Sequence, residues 1–269
     1  MKKFIFIKSL LLLCCLFGTS QANAFGRTGH QQICQTAYQL LSKDTQQRLD
    51  ALLALKPNQS FADGCVWPDE ARSEAAYRYT APHHFINVAR AARKVNTRDC
   101  ATVGCLLSAI KHHGALLKKL PLNEQKRQSL LFFSHFIADL HQPLHVSYAD
   151  DQGGNKTAVY FLKQPSNLHG VWDRALLTEL GYEQNAQLLA EKLAKVSAKQ
   201  QQLWRQGDVL SWANESLAQT ITIYQRYRPG MLLDETAIKR DGPIAERRLQ
   251  QAAVRLAALL ELYLSIDAS

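Results

Sequence analysis

Apolar residues recur along most of this chain at the three- and four-residue spacing of an amphipathic α-helix. One stripe is formed by Leu188, Leu189, Leu193 and Val196, and a second runs from Leu249 to Tyr263. The same reasoning predicts further helices at about 31–55, 70–78, 102–119, 124–141, 170–179 and 206–228, separated by Gly, Pro and Asn. We interpret the stripes as core-facing surfaces and the fold as mainly α.

One segment has the character of a β-strand. It extends from Lys156 to Leu162, directly after Gly153 and Gly154, and its length suits either a hairpin arm or an extended loop. No Pro-, Gly- or Ser-rich linker and no internal repeat divides the chain. We therefore predict a single helical domain with a short hairpin or loop.

The N-terminal segment has the order of a secretory signal peptide. Met1-Lys2-Lys3 leads into the apolar run FIFIKSLLLLCCLFG, and small residues follow at Ala22-Asn23-Ala24. A membrane anchor fits less well, because the run contains Lys8 and is shorter than the roughly 20 residues that span a bilayer. We predict a signal peptide over residues 1–24, cleavage after Ala24, and a mature domain over 25–269 without a stable membrane anchor.

Charge and cysteine content refine this picture. The signal segment has three Lys and no acidic residue, so the formal charge falls from +9 for all 269 residues to +6 after cleavage. This surplus favours phosphate-bearing partners but is equally compatible with ordinary solubility. Removing Cys14 and Cys15 leaves an even set that suits an oxidising compartment. Of the three possible pairings we predict Cys100–Cys105, since DCATVGC can turn at its Gly, and with it Cys34–Cys65; free cysteines are the alternative.

The segment SHFIADLHQPLH, residues 134–145, contains the most informative polar pattern. His135 and Asp139 stand four apart and therefore share one helical face, an arrangement that can hold a metal ion. Pro143 turns the chain, so that His145 can return to the same site, whereas His141 points elsewhere, either behind the site or to the surface. Taken alone, this pattern is more typical of a satisfied buried pair than of a set of metal ligands.

A second pair with the same spacing strengthens the metal interpretation. His169 and Asp173 occur in NLHGVWD, and Asp69 in WPDEAR and His83 or His84 in HHFINV add further donors. A nitrogen and oxygen donor set without cysteine suits open, hydrolytic zinc sites better than closed structural ones. The set is too large for one ion and predicts two or three: His30, His84, His135, His145, His169, Asp69, Asp139 and Asp173.

The ordered motifs FGRTGH, WPDEAR, HFINV, HFIADLHQPLH, DQGGN and NLHGVWD resemble the trinuclear-zinc, single-strand-specific nucleases of fungi and plants and their bacterial relatives. WANES at 212–216 is also similar to that family. The resemblance implies the zinc phospholipase C/nuclease-like helical fold and three Zn²⁺. One zinc would be held by Asp69, His84, His135 and Asp139, a second by His145, His169 and Asp173, and a third by His30, Asp139 and the amino and carbonyl groups of Phe25.

The resemblance also implies roles outside the metal set. Arg72 would stabilise charge at the scissile phosphate, although it could simply pair with Asp69 one turn away. Phe85, Asn87 and Asn155 match positions that line a base pocket, with core packing and turn formation as their alternative roles. The family usually begins with Trp where this chain has Phe25, a departure that leaves the backbone ligands intact.

The reaction implied by the resemblance is hydrolysis of the bond between phosphorus and the 3′ oxygen of single-stranded DNA and RNA. The products would have 5′-phosphate ends, 3′-nucleotides would also be substrates, and Asp69 would hold the attacking water. A bacterial member would act in the periplasm or outside the cell. Two alternatives remain: a zinc phospholipase C acting on phospholipid, which usually has Glu at the position of Asp173, and a secreted zinc-binding protein without catalysis.

Overall fold

The computed structural model describes residues 25–265, and the helical elements predicted from the sequence dominate it. Three further 3₁₀ turns span Arg78–His84, Thr97–Asp99 and Pro143–His145. The α-helices are α1 (Gly26–Gln39), α2 (Lys43–Leu53), α3 (Phe61–Gly64), α4 (Trp67–Ala71), α5 (Leu106–Lys119), α6 (Glu124–His141), α7 (Leu168–Gly170), α8 (Leu176–Glu179), α9 (Ala186–Ala194), α10 (Ala198–Trp204), α11 (Val209–Arg226) and α12 (Glu235–Leu264).

Helix α6 is the centre of the molecule. Asn123 caps it by accepting a hydrogen bond from the backbone nitrogen of Lys126 over 2.8 Å. Every residue from Ser129 to His141 is buried, because α1, α5, α11 and α12 pack around the helix. A helix surrounded in this way presents His135 and Asp139 to the interior of the protein instead of to solvent.

Two helix predictions are corrected by local side chains. The segment predicted as one helix over 31–55 is divided into α1 and α2, because Ser42 accepts from the backbone nitrogen of Thr45 and starts a new helix. The helix predicted over 70–78 is wrong beyond Ala71, where α4 ends and Ser73 Oγ donates to the carbonyl of Glu70. The predictions over 124–141 and 206–228 are confirmed within a few residues as α6 and α11.

The C-terminal stripe lies on a longer helix than predicted. Helix α12 has 30 residues and begins at Glu235, where Asp234 accepts hydrogen bonds from Thr236 and Ala237. Its first half is polar and contains Pro243, so the sequence shows no apolar stripe there. The second half packs on α1, α5 and α6 as the stripe predicts. Within residues 25–265, none of the helices combines the length and the apolar character that crossing a bilayer requires.

Two small sheets complete the fold. Strand β3 (Ala158–Phe161) pairs antiparallel with β4 (Gln164–Asn167), which confirms the predicted hairpin arm, and parallel with β5 (Leu232–Leu233). Strands β1 (Ile86–Val88) and β2 (Val146–Tyr148), which the sequence analysis missed, pair parallel with Ile86 opposite Val146. This second pairing places His84, two residues before β1, beside His145, which directly precedes β2.

Both predicted disulfides are present. Cys34 in α1 bonds to Cys65 after α3, and Cys100 bonds to Cys105 at the start of α5. The first disulfide ties α1 to the segment that leads into α4. The predicted signal peptide, residues 1–24, lies outside the described residues.

Candidate metal centre

The His135–Asp139 pair of α6 forms the floor of a buried polar cluster. The Nε2 atom of His135 lies 3.3 Å from Oδ2 of Asp139, and neither side chain has any exposed surface. The other ring nitrogen of His135, Nδ1, donates to the backbone carbonyl of Cys65 over 2.7 Å. That hydrogen bond places the proton of the neutral imidazole on Nδ1, so that Nε2, which points at the carboxylate, can bind a metal ion.

Asp69 and His84 join this pair from two other segments. Pro68 starts α4 and places Asp69 in its first turn, while His84 ends the 3₁₀ turn before β1. The four donor atoms are mutually close: His84 Nδ1 lies 3.0 Å from Asp139 Oδ2 and 3.6 Å from Asp69 Oδ1, and His135 Nε2 lies 3.7 Å from Asp69 Oδ1. Donors around a tetrahedral zinc ion are about 3.4 Å apart, so this spacing fits one ion.

A second group consists of His145, His169 and Asp173. His145 follows the Pro143 turn, and Asp173 lies in the π-helical turn Val171–Ala175 between α7 and α8. Nδ1 of each histidine donates to a backbone carbonyl. His145 donates to the carbonyl of His84 over 2.6 Å, and His169 donates to the carbonyl of Gly153 over 2.7 Å. The Nε2 atom of His145 then lies 3.7 Å from the Asp173 carboxylate, and that of His169 lies 3.1 Å from it.

His30 completes the cluster from α1. Its ring stacks on that of His135 with centroids 4.0 Å apart, and its Nε2 lies 3.4 Å from Oδ1 of Asp139. Asp139 therefore faces His135 and His84 with one oxygen and His30 with the other. Phe25, whose side chain is fully buried, immediately precedes α1 in a left-handed conformation. Among residues 25–265, three groups have a spacing that suits a metal ion: His30–His135–Asp139, Asp69–His84–His135 and His145–His169–Asp173.

Several buried donor atoms fit a cation better than any neighbour on the protein. Within residues 25–265, no hydrogen-bond partner contacts Nε2 of His30 or His145, or one oxygen of each of three carboxylates, Asp69, Asp139 and Asp173. Leaving such atoms buried and unpaired costs about 1–3 kcal/mol each. Metal ions would remove that cost, and a nitrogen and oxygen set with no thiolate matches hydrolytic zinc sites.

The electrostatics of the cluster also favour a cation. Burial opposes a charge on either histidine, yet Asp139 and Asp69 raise the pKa of His135, and Asp139 and Asp173 raise the pKa of His145 to about 9. Burial also opposes a charge on the carboxyls and so raises their pKa, but His135 and His145 hold the pKa of Asp139 well below its usual range, and His169 and His145 lower that of Asp173. Burial lowers the pKa of His84 to about 4. The carboxylates thus remain ionised and attract protons or metal ions.

The remaining residues predicted for the site surround an adjacent cavity of about 410 Å³. Phe85, Asn87 and Asn155 all line this cavity, together with Arg72, and His84, His145 and His169 form its inner wall. We call it the base cavity. Arg72 Nη2 lies 3.5 Å from Asp69 Oδ1, and 18% of its side chain is exposed. Twelve of the thirteen predicted site residues therefore lie in the three groups or on the wall of the adjacent cavity, and Phe25 precedes the helix that carries His30.

His141 and its neighbours correct the sequence analysis. His141 is fully buried, so the surface alternative is wrong: its Nδ1 donates to the carbonyl of Ile137, and its Nε2 accepts from Arg255. Arg248 donates to the carbonyl of His141, and both arginines bind Glu215 of the WANES segment. This network anchors the end of α6. In the sequence analysis, only the WANES motif pointed to a residue of this network, Glu215.

Gln142 is a further residue that the sequence analysis missed. Its Nε2 donates to Oδ1 of Asp173, and its Oε1 accepts from the backbone nitrogen of Leu144. The side chain is fully buried. In the sequence, Gln142 stands between the two predicted ligands Asp139 and His145. Its position between two histidines of HQPLH was the available signal.

Comparison with known proteins agrees with this geometry. A family model described as S1/P1 Nuclease matches residues 25–265. The chain is 30% identical to Endonuclease 1 of Arabidopsis thaliana, over 98% of this chain and 94% of that protein. It is 27% identical to Nuclease S1 of Aspergillus oryzae, covering 90% and 92%, and 29% identical to Nuclease P1 of Penicillium citrinum, covering 74% and 81%. The chain belongs to the S1/P1 nuclease family.

Proposed function

We propose that this protein is a zinc-dependent endonuclease that hydrolyses single-stranded DNA and RNA. The observation that carries the proposal is that two of the three candidate metal groups reach the wall of a cavity that also contains Arg72 and an aromatic ring. They do so through His84, His145 and His169. Single-stranded nucleic acid offers both a phosphate for the cations and an unstacked base for the ring. The family relatives named above are themselves endonucleases and nucleases.

The residues around the metal groups support direct attack of water on the phosphate. Zinc held there would lower the pKa of a water to about 7 and neutralise charge on the phosphate oxygens. Asp69 has one buried oxygen without a hydrogen-bond partner among the described residues, which suits it to hold the attacking water. The permanently charged guanidinium of Arg72, on the cavity wall, would stabilise the negative charge that develops during the reaction.

The base cavity supports recognition of the nucleotide whose 3′ oxygen leaves. Phe85 has 38% of its surface exposed, so its ring is accessible for stacking on a base. Asn87 and Asn155 provide amide groups for the base edges. Cleavage between phosphorus and that 3′ oxygen would leave 5′-phosphate ends, and the same site would accept 3′-nucleotides.

The N-terminal segment supports export and a mature chain that begins at Phe25. Gly29 packs so closely that a Cβ added to it would lie 2.5 Å from Cβ of Phe25, which fixes residue 25 on the helix that carries His30. The Phe25 carbonyl accepts from Gly29 over 3.1 Å and retains a second lone pair for a metal. Cleavage after Ala24 would add the α-amine as a ligand of the third zinc. We assign the mature enzyme to the periplasm of a bacterium or to the medium.

Two alternative functions are less well supported. A phospholipase C would place a lipid headgroup at the same zinc groups, but its family usually has Glu where this chain has Asp173. A non-catalytic zinc-binding protein would not need a cationic side chain and an exposed aromatic ring beside open metal groups. Both observations favour the nuclease.

One combined experiment tests the proposal. Zinc is counted in the purified mature protein, and the products from single-stranded DNA and RNA are analysed for their end groups. We expect close to three zinc ions per chain and 5′-phosphate ends. Products with 3′-phosphate ends would contradict the mechanism, and full activity without zinc would contradict the site. A choline-phospholipid assay on the same sample tests the phospholipase alternative.

A further inference from the structure

A second cavity lies against the metal groups and has no role in the site described so far. Its volume is about 660 Å³, larger than that of the base cavity. We call it the outer cavity. The residues of its wall that matter here are Gly26, Arg27, Asn155, Asn167, Asp173 and Arg174.

The two cavities meet at the second metal group. Asn155 lines both of them. His169 lines the base cavity and Asp173 lines the outer cavity, and these two side chains approach each other to 3.1 Å as ligands of the same group. A phosphate at this group therefore has one cavity on each side. A phosphodiester inside a polymer also has a nucleotide on each side.

The wall of the outer cavity suits a sugar and a base. Gly26 and Gly170 leave space there, while Ser166, Asn167 and Asn155 offer neutral hydrogen-bonding groups. Carboxylates are also present. Glu183 directs Oε1 towards Gly26, 3.3 Å from the position that a Cβ would occupy, and Glu179 can accept from amino groups of bases.

Two arginines provide the positive charge of the outer cavity. Arg174 has 72% of its side chain exposed and lies 3.8 Å from Glu183. Arg27 is about half exposed and pairs with Glu70, the residue next to Asp69. Exposed ion pairs of this kind are weak, so either guanidinium can exchange its carboxylate for a phosphate oxygen.

We propose that the outer cavity binds the nucleotide on the 3′ side of the scissile phosphate, and that Arg174, assisted by Arg27, contacts the following phosphate. This inference rests on the proposed nuclease function and specifies its substrate as a polymer that extends through both cavities. The base cavity would hold the nucleotide that leaves with the 3′ hydroxyl. The outer cavity would hold the one that leaves with the 5′ phosphate.

The test compares Arg174→Ala and Arg27→Ala with Arg247→Ala, a control that removes an exposed arginine lining neither cavity. Binding of a hydrolysis-resistant phosphorothioate dT10 to the zinc-loaded enzyme is measured by fluorescence anisotropy at several salt concentrations. We expect Arg174→Ala to weaken binding about fivefold and to reduce the salt slope by about one. Arg174→Lys should recover part of the affinity, and Arg27→Ala should show a smaller loss.

Hydrolysis provides a second readout. The dinucleotide dTpdT has no phosphate beyond the outer cavity, so Arg174→Ala should lower kcat/KM for dT10 more than for dTpdT. Arg247→Ala should leave that ratio as in the wild type. If Arg174→Ala and Arg247→Ala have the same affinity, salt slope and ratio, the outer cavity does not bind the strand. A wild-type enzyme that cleaves neither DNA nor RNA would instead refute the nuclease function itself.

Discussion

Gln142 donates a hydrogen bond from its side-chain amide to the carboxylate of Asp173, a residue 31 positions further along the chain. The amide cannot be reversed, because its oxygen accepts from the backbone nitrogen of Leu144. Gln142 therefore occupies one oxygen of Asp173 and leaves the other, Oδ2, facing His169. The orientation of Asp173 in the second candidate metal group thus depends on a residue outside that group.

Replacing Gln142 should weaken the second metal group. In Gln142→Glu, a carboxylate would face Asp173 and the backbone acceptor contact would remain, so repulsion would turn Asp173 away. We expect a loss of about 10- to 100-fold in zinc affinity at one site or in kcat/KM. Zinc titration and initial rates measure both, with Gln200→Glu on exposed α10 as the matched control. Three tightly bound zinc ions and normal turnover in Gln142→Glu would contradict this role.

Arg72→Ala should separate turnover from metal binding. Arg72 lies at the cavity wall and contacts Asp69, but its charge repels cations, so its removal should leave the zinc content close to three. Loss of transition-state stabilisation should reduce kcat by about 10²- to 10³-fold. Steady-state kinetics on single-stranded DNA, with zinc measured on the same sample, tests this. An Arg72→Ala enzyme with full zinc and unchanged kcat would reject the assignment, and Arg78→Ala serves as the control.

An N-terminal extension should impair the third metal site. With Met or a tag before Phe25, the nitrogen of residue 25 becomes an amide and cannot bind zinc as an amine does. We expect such a protein to bind about one zinc fewer and to have much reduced activity, and trimming to Phe25 should restore both. The same tag placed after Ser269 controls for bulk. Equal zinc content and turnover in folded, disulfide-bonded extended and trimmed forms would show that the amine is not a ligand.

His113 should make the protein sensitive to acid independently of the metals. It is buried in α5 and stacks on Phe132, and burial, with smaller effects of His112 and His83, lowers its pKa to about 3. The unfolded chain takes up a proton there below about pH 6.5, whereas the folded chain does so only near pH 3. The contribution of neutral His113 to the free energy of unfolding is therefore fully present above pH 6.5 and is lost progressively as the pH falls towards 3. At pH 5 the loss is about 2 kcal/mol.

The variant His113→Phe keeps a ring against Phe132 and removes the titrating group. Its free energy of unfolding should fall by about 2 kcal/mol less than that of the wild type between pH 7.5 and pH 5. Urea unfolding of the zinc-loaded protein at both pH values gives the difference. His112→Gln, at the exposed neighbouring position, removes only one of the smaller effects on His113 and should stay close to the wild type. Parallel pH dependences of the wild type and His113→Phe would rule out the explanation.

The sequence predicted those parts of the site whose geometry is local. His135 with Asp139 and His169 with Asp173 are four residues apart on helical segments, so their proximity follows from the helix repeat alone. The turn that returns His145 to the cluster follows from Pro143 in the same way. The turn in DCATVGC likewise favoured Cys100–Cys105, which left the second pair by elimination.

The parts that the sequence did not predict depend on contacts between distant segments. The pairing of β1 with β2 involves three residues in each strand, too few for a periodicity to emerge, and their partners are 60 residues apart. The burial of His141 depends on Arg255, more than 100 residues away, and a polar residue gives no indication that its partner is elsewhere in the chain. The first half of α12 was missed for a different reason: it is polar and has no apolar stripe from which a helix could be predicted.

The Cys34–Cys65 disulfide affects where in the cell this enzyme can become active. Cys65 presents the carbonyl that orients His135, and its sulfur is bonded to the helix that carries His30. In a reducing cytosol that bond would not persist, and two ligands would lose their shared support. A newly made chain would therefore be a poor nuclease while it is surrounded by the messenger and transfer RNA of its host. If the chain is exported as proposed above, its nuclease activity would be completed only in the oxidising compartment that it reaches.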